Sequence, residues 1–189
     1  MKSENRKQEI IRTAAALFKE RGYSAVTMRD LAAALGIKAA SLYNHISSKQ
    51  ELLKEIIIAI AEEFTDGMNT IRSSDRSTLE KLNQIIALHV AITSKNTDGM
   101  ASLNNDWMHL EEQLDYYLEL RQNYEANFRD IIVQGIANQE LKNEQPEIIL
   151  FSILTTLRSL YLWIPKKEDL NPEELAKSLG QILIFGTTS

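Results

Sequence analysis

The chain has 189 residues, 44% of them hydrophobic and 25% charged, with a formal net charge of −5 and no cysteine. This is the composition of an ordinary folded chain, long enough for one or two domains with a sizeable core, and it excludes disulfide frameworks and thiolate metal sites. The opening MKSENRKQEII lacks the apolar run of a signal peptide, and the longest strictly apolar run, IIIAIA, is far short of the roughly 18 residues that span a bilayer.

Only three prolines and seven glycines occur. No stretch alternates with period two, and apolar residues recur with helical spacing nearly throughout. The expected fold class is therefore all-α, with about nine helices and short connections. The first helix is predicted from Ser3 to Arg21, striped by Ile10, Ala14, Leu17 and Phe18 and stopped by Gly22. Thr27 is placed as the N-cap of a second helix, with Asp30 as its reciprocal cap; Leu31, Ala32 and Leu35 face inward and Gly36 ends it. A short third helix covers about Lys38 to Ile46. Ser48 and Glu51 form a second capping box, opening a long fourth helix striped by Leu52, Ile56, Ile60, Phe64 and Met68.

The polar RSSDRS then breaks the chain. Leu79, Leu82, Ile85, Ile86 and Leu88 mark a fifth helix, and NTDG marks another break. A helix is expected around Met100 to Leu110, then a longer one from about Glu111 to Ala137. Pro146 suits the first turn of a helix that stops before Pro165. The stretch 148–164 is nearly long enough to cross a membrane, but it contains Arg158, so it reads as a buried helix and no membrane partner is expected. Asn171-Pro172-Glu173-Glu174 opens the last helix with a cap, a proline and an acidic first turn.

Charge is unevenly spread. Residues 1–50 carry nine Lys/Arg against four Asp/Glu, a net of +5, while residues 51–189 carry a net of −10. A basic quarter on an acidic body suggests a local polyanion-binding surface; chance clustering on a solvated helix is the plain alternative. In the third helix Leu42 and Ile46 share one face, so some of Tyr43, Asn44 and His45 must point outward, where they have no core to fill. The second and third helices, joined through Gly36 and Ile37, look like a helix-turn-helix: the turn wants a residue that tolerates positive φ, and Ala32 allows a close crossing.

Residues 14–53, AAALFKERGYSAVTMRDLAAALGIKAASLYNHISSKQELL, strongly resemble the DNA-binding domain of the TetR family of bacterial transcriptional regulators. One departure is Ile46, where the family often has Phe. The resemblance implies a helix-turn-helix DNA-binding domain over 1–50 and a helical ligand-binding and dimerisation domain over 51–189. It implies that the third helix enters the major groove. Thr27 and Tyr43 would bond phosphates, and Lys49 would reach the DNA backbone; Arg29 also joins the DNA-binding set. Base reading would fall to Lys38, Ala39, Ser41 and Asn44, with His45 at a phosphate or the groove edge. From the residues alone, the plain alternatives are that Tyr43 covers the core and that Lys38 is a solvated charge.

For the body, the resemblance implies a homodimer and a small-molecule effector. The segment PEIILFSILTTLRSLYLWIP is apolar on two sides, and its small residues Ser152, Thr155, Thr156 and Ser159 permit close helix approach. Ile153, Leu157, Leu160 and Tyr161, with Leu175, Leu179 and Ile182 of the last helix, are the candidate dimer interface; the alternative is a purely intramolecular core. Leu103, Trp107, His109, Tyr117, Phe128, Phe151, Leu154 and Trp163 are the candidate pocket, although aromatic residues at helical spacing commonly form plain core. The segments LRQNYEANFRDIIVQGIANQELK and WIPKKEDLNPEELAKSLGQILIFG more weakly resemble TetR regulators of fatty-acid and acyl-CoA metabolism, which implies an apolar or amphipathic effector such as an acyl-CoA or fatty acid. Arg121 and Arg129 would then anchor an anion, or would simply pair with Glu125 and Asp130.

An enzyme finds little support. A di-metal carboxylate bundle needs repeated Glu-x-x-His pairs, and only the reversed spacing of His109 and Glu112 occurs. There is no nucleophile elbow and no glycine-rich phosphate loop. The expectation is a cytoplasmic, ligand-responsive, sequence-specific DNA-binding transcriptional regulator with no cofactor and no metal, a repressor released by its effector from a palindromic operator.

Overall fold

The computed structural model describes residues 2–186, and among these all regular structure is helical. In chain order the helices are α1 (Lys2–Arg21), α2 (Met28–Ala34), α3 (Ala39–Leu42), α4 (Lys49–Arg72), α5 (Thr78–Lys95), α6 (Thr97–Asn105), α7 (Leu114–Ala137), α8 (Pro146–Arg158), α9 (Leu160–Trp163) and α10 (Pro172–Gly180). α8 and α9 are one apolar element broken at Ser159, which turns the nine helices expected into ten segments. The chain forms two compact units: residues 1–61 with 98–117, and residues 62–97 with 118–189.

The local signals explain most of the boundaries. α2 starts where expected: Thr27 Oγ1 accepts from the Asp30 N–H at 3.2 Å, while the Asp30 carboxylate accepts the Thr27 N–H at 2.8 Å. Ser77 and Glu80 repeat this reciprocal cap at α5. At α4 the box is shifted by one residue. Ser48 Oγ accepts from the Glu51 N–H (3.0 Å), but the Glu51 carboxylate reaches Ser47 instead, taking its N–H at 2.7 Å and its hydroxyl at 2.6 Å. Asn171 caps α10 through the Glu173 and Glu174 amides.

Three expectations change. α3 is a single turn, because after Leu42 the ladder tightens: His45 N–H donates to Leu42 O at 3.0 Å. NTDG is no break of four residues; Asn96 alone (φ −147°) turns the chain, and α6 begins at Thr97. Between α6 and α7 lie two tight turns, Trp107–His109 and Glu111–Gln113, with Glu111 at φ 47°, so the long helix starts at Leu114 rather than Glu111.

The first unit packs Ile10, Phe18, Leu31, Leu42, Ile46, Leu52, Leu53 and Ile57, all essentially inaccessible to solvent. Each such side chain contributes about 1.5–3 kcal/mol by leaving water. Gly36 sits at φ +65° between α2 and α3, a conformation that costs little only without a Cβ. The second unit packs Phe64, Met68, Leu82, Ile85, Ile86, Val90, Phe128, Ile132, Leu154 and Leu157. α4 and α5 approach so closely here that a Cβ on Gly67 would stand 2.5 Å from Leu88 Cδ2. α10 packs on α5, which also meets α8 and α9.

Candidate nucleic-acid interface

The third helix has one sealed face and one open face. Leu42 and Ile46 are buried, and this fixes which way the rest of the segment points. Lys38, Ser41 and Asn44, at spacing three, stand exposed on the opposite side; Tyr43 is 54% exposed, Ala39 and His45 half-buried. Tyr43 is therefore not a cover for the core. The open face presents an ammonium, a hydroxyl, a phenol and an amide, groups that donate to phosphates and to base edges. Arg29 is exposed on α2.

Two of the expected phosphate contacts have intramolecular work. The Thr27 hydroxyl donates to the Asp30 carboxylate at 2.5 Å, and these bonds hold Asp30 below the ordinary carboxylate pKa. Lys49 is more fully engaged. Its Nζ donates to Tyr23 O at 2.8 Å and Val26 O at 2.9 Å, with Ser24 O at 3.5 Å, and lies 4.2 Å from the Tyr23 ring centroid. It thus pins the start of α4 to the loop that leads into the Thr27 cap.

The sequence reading missed the continuation of this clasp. Tyr23 OH donates to Gln50 Oε1, and Gln50 Nε2 donates to His109 O, both at 2.5 Å. The His109 ring stacks on Tyr23 with centroids 5.2 Å apart, and Phe18 meets Tyr23 edge-on. Burial first, then the Glu111 and Asp106 carboxylates, push Tyr23 above the usual tyrosine pKa, so it stays a donor. Asp106 is itself pushed up by burial. The aromatic after Gly22 was the available signal; its partners, 27 and 86 residues away in sequence, were not readable.

The eight candidate pocket residues are divided between the two units. Leu103, Trp107, His109 and Tyr117 belong to the first unit; Phe128, Phe151, Leu154 and Trp163 belong to the second. His109 is absorbed by the clasp, and Trp107 stacks on buried Tyr117 at 5.9 Å. Phe128 and Leu154 are core, while Phe151 is 69% exposed and faces outward. One polar residue enclosed in the second unit was passed over in the sequence reading. His89 Nε2 lies 2.9 Å from Tyr124 OH, with the Phe64 ring 4.5 Å from the imidazole. Arg121 and Arg158 both pair with Glu125, and Arg129 pairs with Glu147 rather than Asp130.

The dimer candidates are likewise redistributed. Ile153, Leu157, Leu160 and Tyr161 are buried inside the second unit, because they are the side of α8 and α9 that packs on its own core. The outward side carries Ile148, Phe151, Leu162 and Trp163, continued by Ile182 and Phe185. Between them runs a groove of about 430 Å³ lined by Thr155, Thr156, Ser159, Leu160, Trp163, Leu175 and Leu179. Pro146–Lys166 is, by length and composition only, long and apolar enough to cross a membrane, an 18-residue stretch of it having mean hydropathy 1.6 and being 28% buried, although Arg158 within the segment is ion-paired. Among the described residues no three His, Asp or Glu side chains are grouped to hold a metal.

Comparison with known proteins agrees with the geometry. Residues 10–56 match the family model described as bacterial regulatory proteins, tetR family, and residues 75–187 match the tetracyclin repressor-like C-terminal domain. The chain is 27% identical over 190 residues to the HTH-type transcriptional repressor KstR2 of Rhodococcus jostii (strain RHA1), covering 97% of this chain and 92% of that one. The crystal structure of the TetR family regulator PfmR from Thermus thermophilus superposes with a TM-score of 0.82 at 25% identity, over 95% of this chain and 99% of PfmR. AibR, solved in complex with isovaleryl coenzyme A and operator DNA, shares the fold with a TM-score of 0.75 at 21% identity, over 97% of this chain and all of AibR. The two family models together cover the greater part of the sequence, and the chain belongs to the TetR family, ligand-responsive transcriptional regulators that bind DNA.

Proposed function

We propose that this protein is a cytoplasmic homodimeric repressor whose recognition element is the open face of residues 38–45, and which leaves a palindromic operator when a small apolar or amphipathic effector binds. The observation that carries the reading is the exposure of Lys38, Ser41, Tyr43 and Asn44 opposite a sealed Leu42–Ile46 face, within a segment of net charge +5. Residues 1–50 act as the DNA-binding part and 51–189 as the effector and dimerisation part. Tyr43, Thr27 and Arg29 serve the phosphate backbone; Lys38, Ala39, Ser41 and Asn44 read bases; His45 lies at the groove edge. Lys49 holds the head in place.

One helix-turn-helix touches few bases, and a dimer places two of them about 34–36 Å apart on successive turns of DNA. The exposed apolar rim of α8 and α9, with Ile182 and Phe185, is the surface a second copy would cover; exposed patches of this kind mark association sites. The small side chains between them let helices approach closely. An acyl-CoA effector is supported by the isovaleryl coenzyme A bound to AibR and by the resemblance of the body to regulators of that class. An effector releases DNA only through its differential affinity for the two states.

Selection of binding sites from random duplex DNA at stated salt tests this reading. A palindromic consensus is expected. With that site, Asn44→Ala should change the preferred base at one position by about 1–3 kcal/mol, while Tyr43→Ala weakens all sequences alike. No enrichment by folded, dimeric, refolded protein overturns the proposal.

A further inference from the structure

Four enclosed side-chain polar atoms on α5 have no hydrogen-bond partner among the described residues, Gln84 Oε1, His89 Nδ1, Thr93 Oγ1 and Ser94 Oγ, and of these four residues the fully buried ones are His89 and Thr93. Their side chains are 3% and 0% exposed. Four residues apart, they share one face of the helix, one turn from each other.

A helical hydroxyl has an easy partner in the carbonyl four residues earlier. Thr70, Ser152, Thr156 and Ser159 all use it in this chain. Thr93 does not. The imidazole is held rather than loose: Nε2 meets Tyr124 OH at 2.9 Å, and the Phe64 ring packs on it at 4.5 Å. One end of His89 is thus fixed and the other is left unsatisfied. Burying such groups without partners is unfavourable, and native interiors contain few of them.

We propose that His89 Nδ1 and Thr93 Oγ1 are the polar recognition element of the effector site, taking a neutral oxygen, a carbonyl or hydroxyl, on an otherwise apolar molecule. This rests on the reading of the second unit as the effector body. Burial, and then the charge of Arg158, lower the imidazole to about 3, so it is neutral at physiological pH. A neutral imidazole bonded through Nε2 offers one hydrogen-bonding nitrogen, and a threonine hydroxyl can donate or accept. That pair satisfies a ketone, a thioester carbonyl or an alcohol. It offers no charge to a carboxylate or phosphate, and Arg121, Arg129 and Arg158 are engaged with Glu125 and Glu147. An acyl-CoA would meet the site with the carbonyl of its acyl end.

Neither atom faces solvent. A ligand must therefore part the packing around Phe64 to reach them, which ties occupancy to a rearrangement and makes the oxygen's bonds the differential affinity that shifts the population.

The test uses the full-length protein and a series of linear and cyclic ketones, matched alkanes and matched carboxylates, with binding read by calorimetry. Ketones should bind more tightly than alkanes of the same size. Thr93→Val, an isosteric change, should weaken the ketones roughly tenfold and leave the alkanes unchanged, while raising the Tm of the ligand-free protein. His89→Phe should act in the same direction. Equal binding of ketones and alkanes, carboxylates binding best, or no member binding at all would each overturn the proposal. Release of operator DNA is scored separately: ketone binding that depends on Thr93 without DNA release would keep the site and overturn its role as effector site.

Discussion

Replacing Lys49 with methionine separates two roles for this residue. Methionine keeps the stem and removes the ammonium. The wild-type ammonium makes two close bonds to backbone carbonyls, at 2.8 and 2.9 Å, and sits over the Tyr23 ring. Hydrogen bonds to a charged group are worth about 1.5–3 kcal/mol, and a partly exposed cation–π contact about 0.5–1 kcal/mol. Ser24 is exposed and Lys49 only half-buried, so water replaces part of what is lost. A net destabilisation of about 2 kcal/mol follows, below the full sum of about 3.5–7 kcal/mol because of that replacement. Urea unfolding measures it directly. Operator affinity should also fall, because the Tyr23–Val26 loop sets the Thr27 cap, but the salt dependence of binding should keep its slope. A phosphate contact behaves differently: its loss lowers the slope of log K against log salt by about 0.9 and leaves folding nearly untouched. Unchanged unfolding free energy together with a slope reduced by about one would refute the positioning role.

Three further outcomes follow from the same structure. His89 is depressed to about 3 in the folded chain against 6.5 for the free group, so its contribution to stability is full above pH 6.5 and is lost as pH falls toward 3, when the unfolded chain binds the proton that the folded chain refuses. Between pH 7 and pH 5 this removes about 2 kcal/mol of unfolding free energy, and His89→Phe should remove the dependence that chemical denaturation detects. Gly36→Ala forces a Cβ onto φ +65° and should cost about 1–2 kcal/mol by urea unfolding, with nothing within 4 Å to clash. Leu162→Glu with Ile182→Asp should leave the fold intact, since both side chains are exposed, and should shift sedimentation toward the monomer.

Much of this protein was legible in its sequence, because the relevant physics is local. Helical periodicity with few prolines and glycines determined the all-α class. Thr27 with Asp30, and Asn171 before Pro172, determined where helices begin, since a cap and the amides it satisfies lie within three residues. The buried spacing of Leu42 and Ile46 determined that Lys38, Ser41 and Asn44 face out. What the tertiary structure decided depends on partners distant in sequence. Lys49 has the composition of a phosphate contact, and only folding brings the Tyr23 and Val26 carbonyls to its ammonium. α8 and α9 are apolar on two sides, so periodicity alone could not say which side meets the protein's own core. Packing on α5 buried Ile153, Leu157, Leu160 and Tyr161 and left Phe151, Leu162 and Trp163 outside. His89 looks in sequence like any histidine in an apolar helix. Its meaning comes from Tyr124, 35 residues on, which takes one ring nitrogen and leaves the other unsatisfied.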